Sequence, residues 1–275
     1  MKLSFSTLGC PAWSFEQILA KGREYGFDGV AFRGIGQVLD LSKISEFLPS
    51  RRSETRQRLD DAGLFPSMML TSARLMVEDE AVEENIKLAE SHIDIAADLG
   101  SPFIRVFGGA IPGGLSYVTA VSRAAERLSR MGDYAGPRGV TVLLETHDDF
   151  VRTDLLRRVL EASDHSAVGA LWDIHHPWRI AGLPVAEAWE TLKPWIKSVD
   201  LKDSITDPSS RLGYRYVELG KGEVPLPEAL RLLKDGGYNG WLTFEWEKRW
   251  HPDISEPEQS FPAFVGYMRD ALGKL

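Results

Sequence analysis

The chain has 275 residues, of which 43% are hydrophobic and 26% charged, and its formal net charge is -8 at pH 7. This acidic balance argues against a protein that grips nucleic acid phosphates over a broad surface, because that affinity rests on clustered Lys and Arg. Cys10 is the only cysteine, which excludes an internal disulfide. No apolar run approaches the roughly 20 residues of a membrane helix, and the N-terminal run is too short and polar for a signal peptide. We therefore expect a cytoplasmic protein that binds neither nucleic acid nor membrane.

Strand-like apolar runs alternate with amphipathic helical patterns from one end of the chain to the other. The predicted strands lie at 3–8, 29–33, 65–70, 103–107, 140–145, 168–173, 196–201 and 241–246. The predicted helices lie near 14–25, 52–62, 79–99, 116–135, 153–163, 185–193, 226–236 and 259–271. Eight strands, each followed by a helix, are typical of a (β/α)8 TIM barrel, a fold of roughly 250 residues.

The organisation between these elements favours one domain over residues 1–275. The strand-like runs are nearly continuous apolar segments, as expected for parallel strands covered by helices. No stretch has the composition of an interdomain linker, and the longest segment without periodicity, 204–225, would lie over the mouth of a barrel. A doubly wound open sheet is the alternative fold.

In four of the predicted strands the apolar run ends in a carboxylate. These residues are Glu145, Asp173, Asp200 and Glu245, on the fifth to eighth strands. A carboxylate is costly to bury without a partner, and the active sites of such barrels lie at the C-terminal ends of the strands. Convergence of the four predicts a site for one hard divalent ion such as Mg2+ or Mn2+. Alternatively, one or two of them bond backbone amides of the next loop.

Histidines follow two of these acids closely. His147 lies two residues after Glu145, and His175 and His176 follow Asp173. Three of the six histidines of the chain therefore fall at two adjacent strand ends. We expect His176 to contact substrate and consider His147 a second contact, the alternative for each being an ordinary buried or surface histidine.

Two basic residues lie within or just after predicted strands. Arg105 interrupts the apolar run 103–107, so its guanidinium is expected inside the barrel or at its mouth. Because a buried Arg needs a carboxylate or a ligand oxygen, Arg105 forms either a structural ion pair or a substrate contact. Lys202 and Asp203 follow the seventh strand and either pair with each other or contact substrate.

At these positions the sequence resembles the xylose isomerase-like TIM-barrel superfamily, the sugar phosphate isomerases and epimerases. The resemblance runs over nearly the whole chain and rests on a series of motifs in a fixed order. They are Leu144-Glu-Thr-His147, Trp172-Asp-Ile-His-His176, Val199-Asp-Leu-Lys-Asp203, Leu219-Gly-Lys-Gly-Glu223 and Gly237-Tyr-Asn-Gly-Trp-Leu-Thr-Phe-Glu245. Each motif alone is weak, and their combination in this order carries the resemblance.

The resemblance implies a metal site and catalytic roles. In that family a Glu, an Asp, a His and a second Glu bind one Mn2+, Mg2+, Co2+ or Zn2+, and the two glutamates move protons between substrate carbons. By this resemblance Glu145, Asp173 and Glu245 are metal ligands, Glu145 and Glu245 are catalytic, and His176 contacts substrate.

Two positions depart from the family pattern. Asp200 stands where the family usually has the metal-binding His, which favours Mg2+ or Mn2+ over Zn2+, or else marks a weakened or lost metal site. Ala31 stands where many relatives place Glu near the end of the second strand, which removes a polar contact from the substrate pocket.

Together these features predict a divalent-metal-dependent isomerase or epimerase acting on a sugar, a sugar phosphate or a keto-polyol. Carboxylates would transfer the proton through a metal-stabilised enediolate. The alternatives are a dehydratase or lyase of inosose or 3-keto-sugar type at the same site, and a non-catalytic sugar-binding protein. A DNA-repair endonuclease with this barrel would need more histidines and a basic groove. Homo-oligomers are common among such barrels, but the sequence shows no interface.

Overall fold

The computed structural model describes residues 1–275 and contains ten strands and nine α-helices. The strands are β1 Lys2–Ser6, β2 Gly29–Phe32, β3 Phe65–Arg74, β4 Phe103–Phe107, β5 Thr141–Glu145, β6 Val168–Asp173, β7 Ile196–Leu201, β8 Asp203–Thr206, β9 Tyr214–Val217 and β10 Trp241–Phe244. The helices are α1 Phe15–Tyr25, α2 Arg52–Ala62, α3 Val82–Leu99, α4 Tyr117–Ala135, α5 Thr153–Ser163, α6 His175–Ala181, α7 Val185–Leu192, α8 Leu226–Asp235 and α9 Pro257–Gly273. No helix combines the length and apolar character needed to cross a membrane.

Eight of the strands close into a parallel barrel. Their order around the barrel is β1-β10-β7-β6-β5-β4-β3-β2, and every neighbouring pair is parallel. The predicted single (β/α)8 TIM barrel is therefore confirmed. Because all eight strands run in the same direction, their C-terminal ends meet at one rim, where the βα loops form the mouth.

Side-chain alternation along the strands decides which residues enter the barrel. On β6, Trp172 points outward and packs against Trp189 of α7, with ring centroids 6.1 Å apart. Its neighbour Leu171 belongs to the small apolar cluster inside the barrel, so Asp173, two residues further along, points inward as well. The members of this inner cluster are Ala31, Met68, Leu70, Leu143 and Leu171.

The segment 204–225, predicted to be irregular, contains an antiparallel hairpin. Strand β8 pairs with β9, and Ser204 lies opposite Tyr216. Tyr214 and Tyr216 are buried whereas Arg215 between them is exposed. This alternation of buried tyrosines with an exposed arginine is typical of a β-strand. It is short, and the surrounding Gly, Pro and Ser residues indicated a loop instead.

Two further elements differ from the prediction near the mouth. Helix α6 begins immediately after β6, because the Oδ1 atom of Asp173 accepts hydrogen bonds from the backbone N–H groups of His175 (2.8 Å) and His176 (3.3 Å). Strand β10 ends at Phe244, so Glu245 is the first residue beyond it. His175 and His176 therefore lie in the first turn of a helix at the rim, and Glu245 lies on a loop there.

Candidate active site

Three strands bring three carboxylates together at the barrel mouth. Glu145, Asp173 and Glu245 each offer one oxygen, and these atoms lie within 4.8 Å of one another. All three residues are buried, and the Oε2 atom of Glu145 and the Oδ2 atom of Asp173 form no hydrogen bond. Several buried carboxylate oxygens at one point suit a hard divalent ion, so the residues present fit the predicted kind of ion.

Lys202 supplies a positive charge within this acidic group. Its fully buried Nζ lies 2.8 Å from Asp173 Oδ2, without hydrogen-bond alignment, and donates hydrogen bonds to Glu245 and, at 2.8 Å, to Glu247. Burial by itself raises the pKa of Glu245, but the Lys202 ammonium outweighs it and the pKa lies below its ordinary value. Lys202 is therefore a counter-ion to the carboxylates and does not pair with Asp203.

Asp200 lies outside the three-carboxylate group, one side-chain layer deeper in the barrel than Lys202. On β7 it is in register with Asp173 and with Thr243, and its side chain is buried. Its Oδ1 atom has no hydrogen-bond partner. Burial and the charges of Glu245 and Glu145 raise the pKa of Asp200 well above its ordinary value.

Arg105 and Glu145 face each other across adjacent strands. The Arg105 Nε atom lies 3.1 Å from Glu145 Oε2, Nη1 donates to the carbonyl of Thr71 at 3.2 Å, and the guanidinium lies 3.7 Å from the ring centroid of Phe107. Burial raises the pKa of Glu145, and the charge of Arg105 offsets only part of that effect. Arg105 thus forms the ion pair that the sequence suggested, and it also borders the cavity at the mouth.

The three predicted histidines point in different directions. The Nδ1 atom of His176 lies 3.2 Å from Asp173 Oδ2 and 3.2 Å from the carbonyl oxygen of Thr146. The His147 ring packs edge-on against that of His176, with centroids 4.7 Å apart, and borders the cavity. His175 turns away and bonds the hydroxyl of Ser204 at 2.8 Å. His176 and His147 are thus close to the carboxylates, whereas His175 supports the β8–β9 hairpin.

Asp203 has a structural role. Its carboxylate accepts backbone hydrogen bonds from Gly220 (3.0 Å), Gly222 (2.9 Å) and Val224 (3.1 Å). A Cβ at Gly222 would lie 2.0 Å from Asp203 Oδ1, so only glycine allows this close approach. Asp203 therefore fixes the loop between β9 and α8.

A cavity of about 230 Å³ opens above these groups. Its lining residues are Leu8, Arg33, Arg74, Arg105, Phe107, Glu145, His147, Glu245, Glu247 and Trp250. One side, the arginine wall, consists of Arg33, Arg74 and Arg105, which follow or lie on β2, β3 and β4. The other side consists of Glu145, Glu245 and Glu247. Together with Asp173 and Lys202, which are fully buried beside them and do not line the cavity, these residues are called the carboxylate wall. A larger pocket of about 440 Å³, between the β2–α2 loop and α3, contains none of the predicted site residues.

Arg33, Arg74 and Glu247 were missed as site residues by the sequence analysis. Arg33 directly follows the apolar run of β2, which is the same signal that identified the carboxylates at the ends of other strands. Arg74 and Glu247 lie beyond the predicted strand ends, so only the observed strand lengths and loop paths bring them to the cavity.

The closed parallel barrel and the buried carboxylates at its C-terminal rim define a TIM-barrel protein with an acidic mouth. A model of the family described as xylose isomerase-like TIM barrel matches residues 19–270. The chain belongs to this xylose isomerase-like TIM barrel family, as its motifs implied.

Proteins similar to this chain include a dehydratase, an epimerase and a zinc-binding protein. An inosose dehydratase of Klebsiella pneumoniae is 26% identical over 167 residues, and the match covers 55% of each chain. The chain thus spans about half the length of the curated relatives it matches. The IOLI protein, solved with a zinc atom, has a TM-score of 0.81 at 16% identity, covering 100% of this chain and 99% of that one. A D-allulose 3-epimerase from Methylomonas sp., solved with D-allulose, has a TM-score of 0.77 at 17% identity, covering 100% and 96%.

Proposed function

We propose that the protein is an enzyme that abstracts a proton beside the carbonyl group of a polyhydroxylated compound, as an isomerase or epimerase. The observation that carries this proposal is the buried group of Glu145, Asp173 and Glu245, of which Glu145 and Glu245 line a cavity. A volume of about 230 Å³ is below the roughly 300–1,000 Å³ of pockets for drug-sized ligands, which favours a compact, sugar-sized substrate.

A divalent ion is part of this proposal. Glu145, Asp173 and Glu245 would hold it, and Asp200, predicted from the sequence as a fourth ligand, would support the site from outside this group. Mg2+ or Mn2+ suits such carboxylate oxygens better than Zn2+ or Co2+. When bound, such an ion supplies Lewis-acid stabilisation of negative charge on substrate oxygen. Lys202 already contacts two of these carboxylates, so the ion and the ammonium must share the same acidic group.

Glu145 and Glu245 are the residues that would move the proton. Each is buried and borders the cavity, so each can reach a carbon of a ligand bound there. The ammonium of Lys202 favours the ionised form of Glu245, which suits this residue to accept the first proton. Glu145, at the end of β5 and separated from β10 by β6 and β7, would return a proton, and His176 would hold a substrate hydroxyl.

Dehydration is the second candidate reaction, and the match to the inosose dehydratase favours it. The first step is the same: a carboxylate takes the proton beside the carbonyl. The C–O bond at the next carbon then breaks, a C=C bond forms, and the departing hydroxide takes a proton to leave as water. His147, which is close to Glu145 and lines the cavity, would supply that proton.

Deuterium exchange tests the proposal and separates the two reactions. The protein would be incubated in D2O with Mg2+ or Mn2+ and a panel of ketohexoses, keto-inositols and carboxylated keto-polyols, and the products followed by NMR. Deuterium at the carbon beside the carbonyl without loss of water indicates epimerisation or isomerisation, whereas loss of water indicates dehydration.

Two matched variants identify the catalytic groups. Glu145→Gln and Glu245→Gln keep the shape of each side chain, and we expect both to retain the fold by circular dichroism and to lose at least about a thousandfold in exchange rate. Asp149→Asn, a substitution of an acid outside the carboxylate wall, serves as the control. Exchange that survives in both glutamine variants would contradict the assignment, and binding of sugars without any exchange would favour a sugar-binding protein.

A further inference from the structure

The arginine wall carries positive charge that the protein itself does not fully neutralise. Of its three members, only Arg105 has an acidic partner, Glu145 at 3.1 Å. Arg33 and Arg74 border the same cavity and form no ion pair. The opposite wall differs, because Lys202 lies among its carboxylates as a built-in counter-ion.

Arg33 is the more unusual of the two. It is 7% exposed, its Nη2 atom donates to the hydroxyl of Ser72 at 2.9 Å, and its buried Nη1 atom has no hydrogen-bond partner. Burial, together with the nearby charge of Arg105, lowers the pKa of Arg33 to about 9, so the group is still positive at neutral pH. A buried guanidinium with an unused donor is unfavourable unless an oxygen ligand completes it.

Arg74 adds a second donor group at the same wall. It lies at the end of β3, its backbone N–H donates to Asn85 Oδ1 at 3.0 Å, and its side chain is exposed at the rim and forms no hydrogen bond within the protein. Guanidinium groups offer paired N–H donors that match the two oxygens of a carboxylate or a phosphate. Arg33 from below and Arg74 from the rim thus present such donors to one cavity.

We propose that the substrate carries an anionic group, a carboxylate or a phosphate, and that Arg33 and Arg74 bind it opposite Glu145 and Glu245. This inference names the substrate class of the proposed reaction and rests on that proposal for the carbonyl chemistry. The anionic group would satisfy the unused donor of Arg33, and the reacting carbons would lie toward the carboxylate wall. A neutral sugar would leave the unused Nη1 donor of Arg33 without an anionic partner.

Calorimetric titration with three probes tests the anion site without turnover. D-Gluconate and D-glucitol have six carbons each and differ in the carboxylate, and inorganic phosphate provides the second kind of anion. We expect D-gluconate or phosphate to bind at least about tenfold more tightly than D-glucitol, because hydrogen bonds to charged groups are the stronger ones. The tighter of the two anions identifies the group that the substrate carries.

Three arginine variants connect that binding to the arginine wall. Arg33→Met and Arg74→Gln should each weaken binding of the preferred anion on the order of 10- to 100-fold. Arg211→Gln removes an exposed arginine of the β8–β9 connection and should leave the affinity unchanged. Arg74 is exposed, so its variant remains informative even if loss of the buried Arg33 side chain disturbs folding.

Two results would overturn the inference. One is equal affinity for D-glucitol and both anions, and the other is unchanged anion affinity in Arg74→Gln together with folded Arg33→Met. The titration is repeated with Glu145→Gln, in which the arginine wall is intact. If Glu145→Gln binds the anion but the wild type catalyses no deuterium exchange on any keto substrate, the proposed reaction is rejected and the anion site stands. If the wild type catalyses exchange on neutral sugars but binds no anion, the anion site is rejected and the proposed reaction stands.

Discussion

The carboxylate wall and the arginine wall of the mouth are both built from residues at the C-terminal ends of strands, but their side chains carry opposite charge. On both, a polar residue at a strand end projects inward because the preceding apolar residues alternate between the helices and the barrel interior. The carboxylate wall contains its own counter-ion, Lys202, whose Nζ lies 2.8 Å from Asp173 and from Glu247. The arginine wall has Glu145 beside Arg105 but no acid paired with Arg33.

This difference shows how one barrel can place two kinds of binding group on opposite sides of its mouth. The fold fixes where the strand ends lie, and the residue types at those ends decide the chemistry. Clustered carboxylates suit a metal ion and proton transfer, whereas unpaired guanidinium groups suit an anionic part of a ligand.

The largest expected change in stability comes from removing the counter-ion of the carboxylate wall. Lys202→Met leaves Asp173, Glu245 and Glu247 without compensation, and loss of one partner from a buried ionic group destabilises by about 3–5 kcal/mol. We expect that loss in chemical denaturation without divalent ions. Because an ion that binds only the native state stabilises it, added Mg2+ or Mn2+ should recover part of it.

Lys197→Met is the matched control, because Lys197 is an exposed lysine of the same strand. Its unfolding free energy should stay within about 0.5 kcal/mol of the wild type, as is usual for surface substitutions. Equal stability of the two variants in the absence of divalent ions would show that Lys202 does not compensate the carboxylates.

A smaller effect should appear behind the arginine wall, at His92 of α3. Burial, with smaller contributions from Arg33 and Arg105, lowers the pKa of His92 to about 4 from 6.5. Between these values the unfolded chain binds a proton that the native protein does not, so stability falls as pH decreases from 6.5 to 4. This difference in the pKa of His92 corresponds to about 3 kcal/mol of unfolding free energy. The protein loses this free energy as the pH falls to 4, and the loss is absent above pH 6.5.

Denaturation as a function of pH checks this prediction. His92→Gln should have a shallower decline in unfolding free energy below pH 6.5 than the wild type. His165→Gln, at a half-buried position outside both walls, is the control and should retain the steep decline. Parallel curves for wild type and His92→Gln would contradict the buried neutral state of His92.

The smallest effect concerns the carboxylate that lies apart from the other three. Asp200→Asn should weaken Mn2+ binding by about tenfold, as is typical for groups that support a metal site from outside its nearest ligands. Asp173→Asn should weaken it much more, because Asp173 belongs to the three-carboxylate group. Calorimetric titration with Mn2+ measures the affinity of both variants. An equal loss of Mn2+ affinity in Asp200→Asn and Asp173→Asn would show that Asp200 is a direct metal ligand like Asp173.

Much of this site could be predicted from the sequence because each key residue ends an apolar strand. Glu145, Asp173 and Glu245 follow this rule, and a closed parallel barrel then brings them together. Which side chains are long enough to contact the carboxylates could not be predicted from the sequence. Asp200 and Lys202 both point inward from β7, but only the longer lysine side chain reaches the carboxylates at the rim.

Other parts of the mouth depend on contacts that the sequence does not reveal. The hairpin of β8 and β9 is held by burial of Tyr214 and Tyr216 near His175, whose ring centroid lies 5.1 Å from that of Tyr214. The arginine wall depends on β3 extending to Arg74, beyond the apolar run that marks the strand. Such extensions are decided by tertiary packing and not by local preference.

Metal analysis tests the central claim, that the carboxylate wall binds a divalent ion, most directly. Wild type and Asp173→Asn would be purified without chelator or histidine tag, dialysed against equal Mg2+ and Mn2+, and analysed for elemental metal content. We expect about one equivalent of metal in the wild type and little in the variant. A folded wild-type protein that retains no metal would contradict the claim and leave Lys202 as the only cation of that wall.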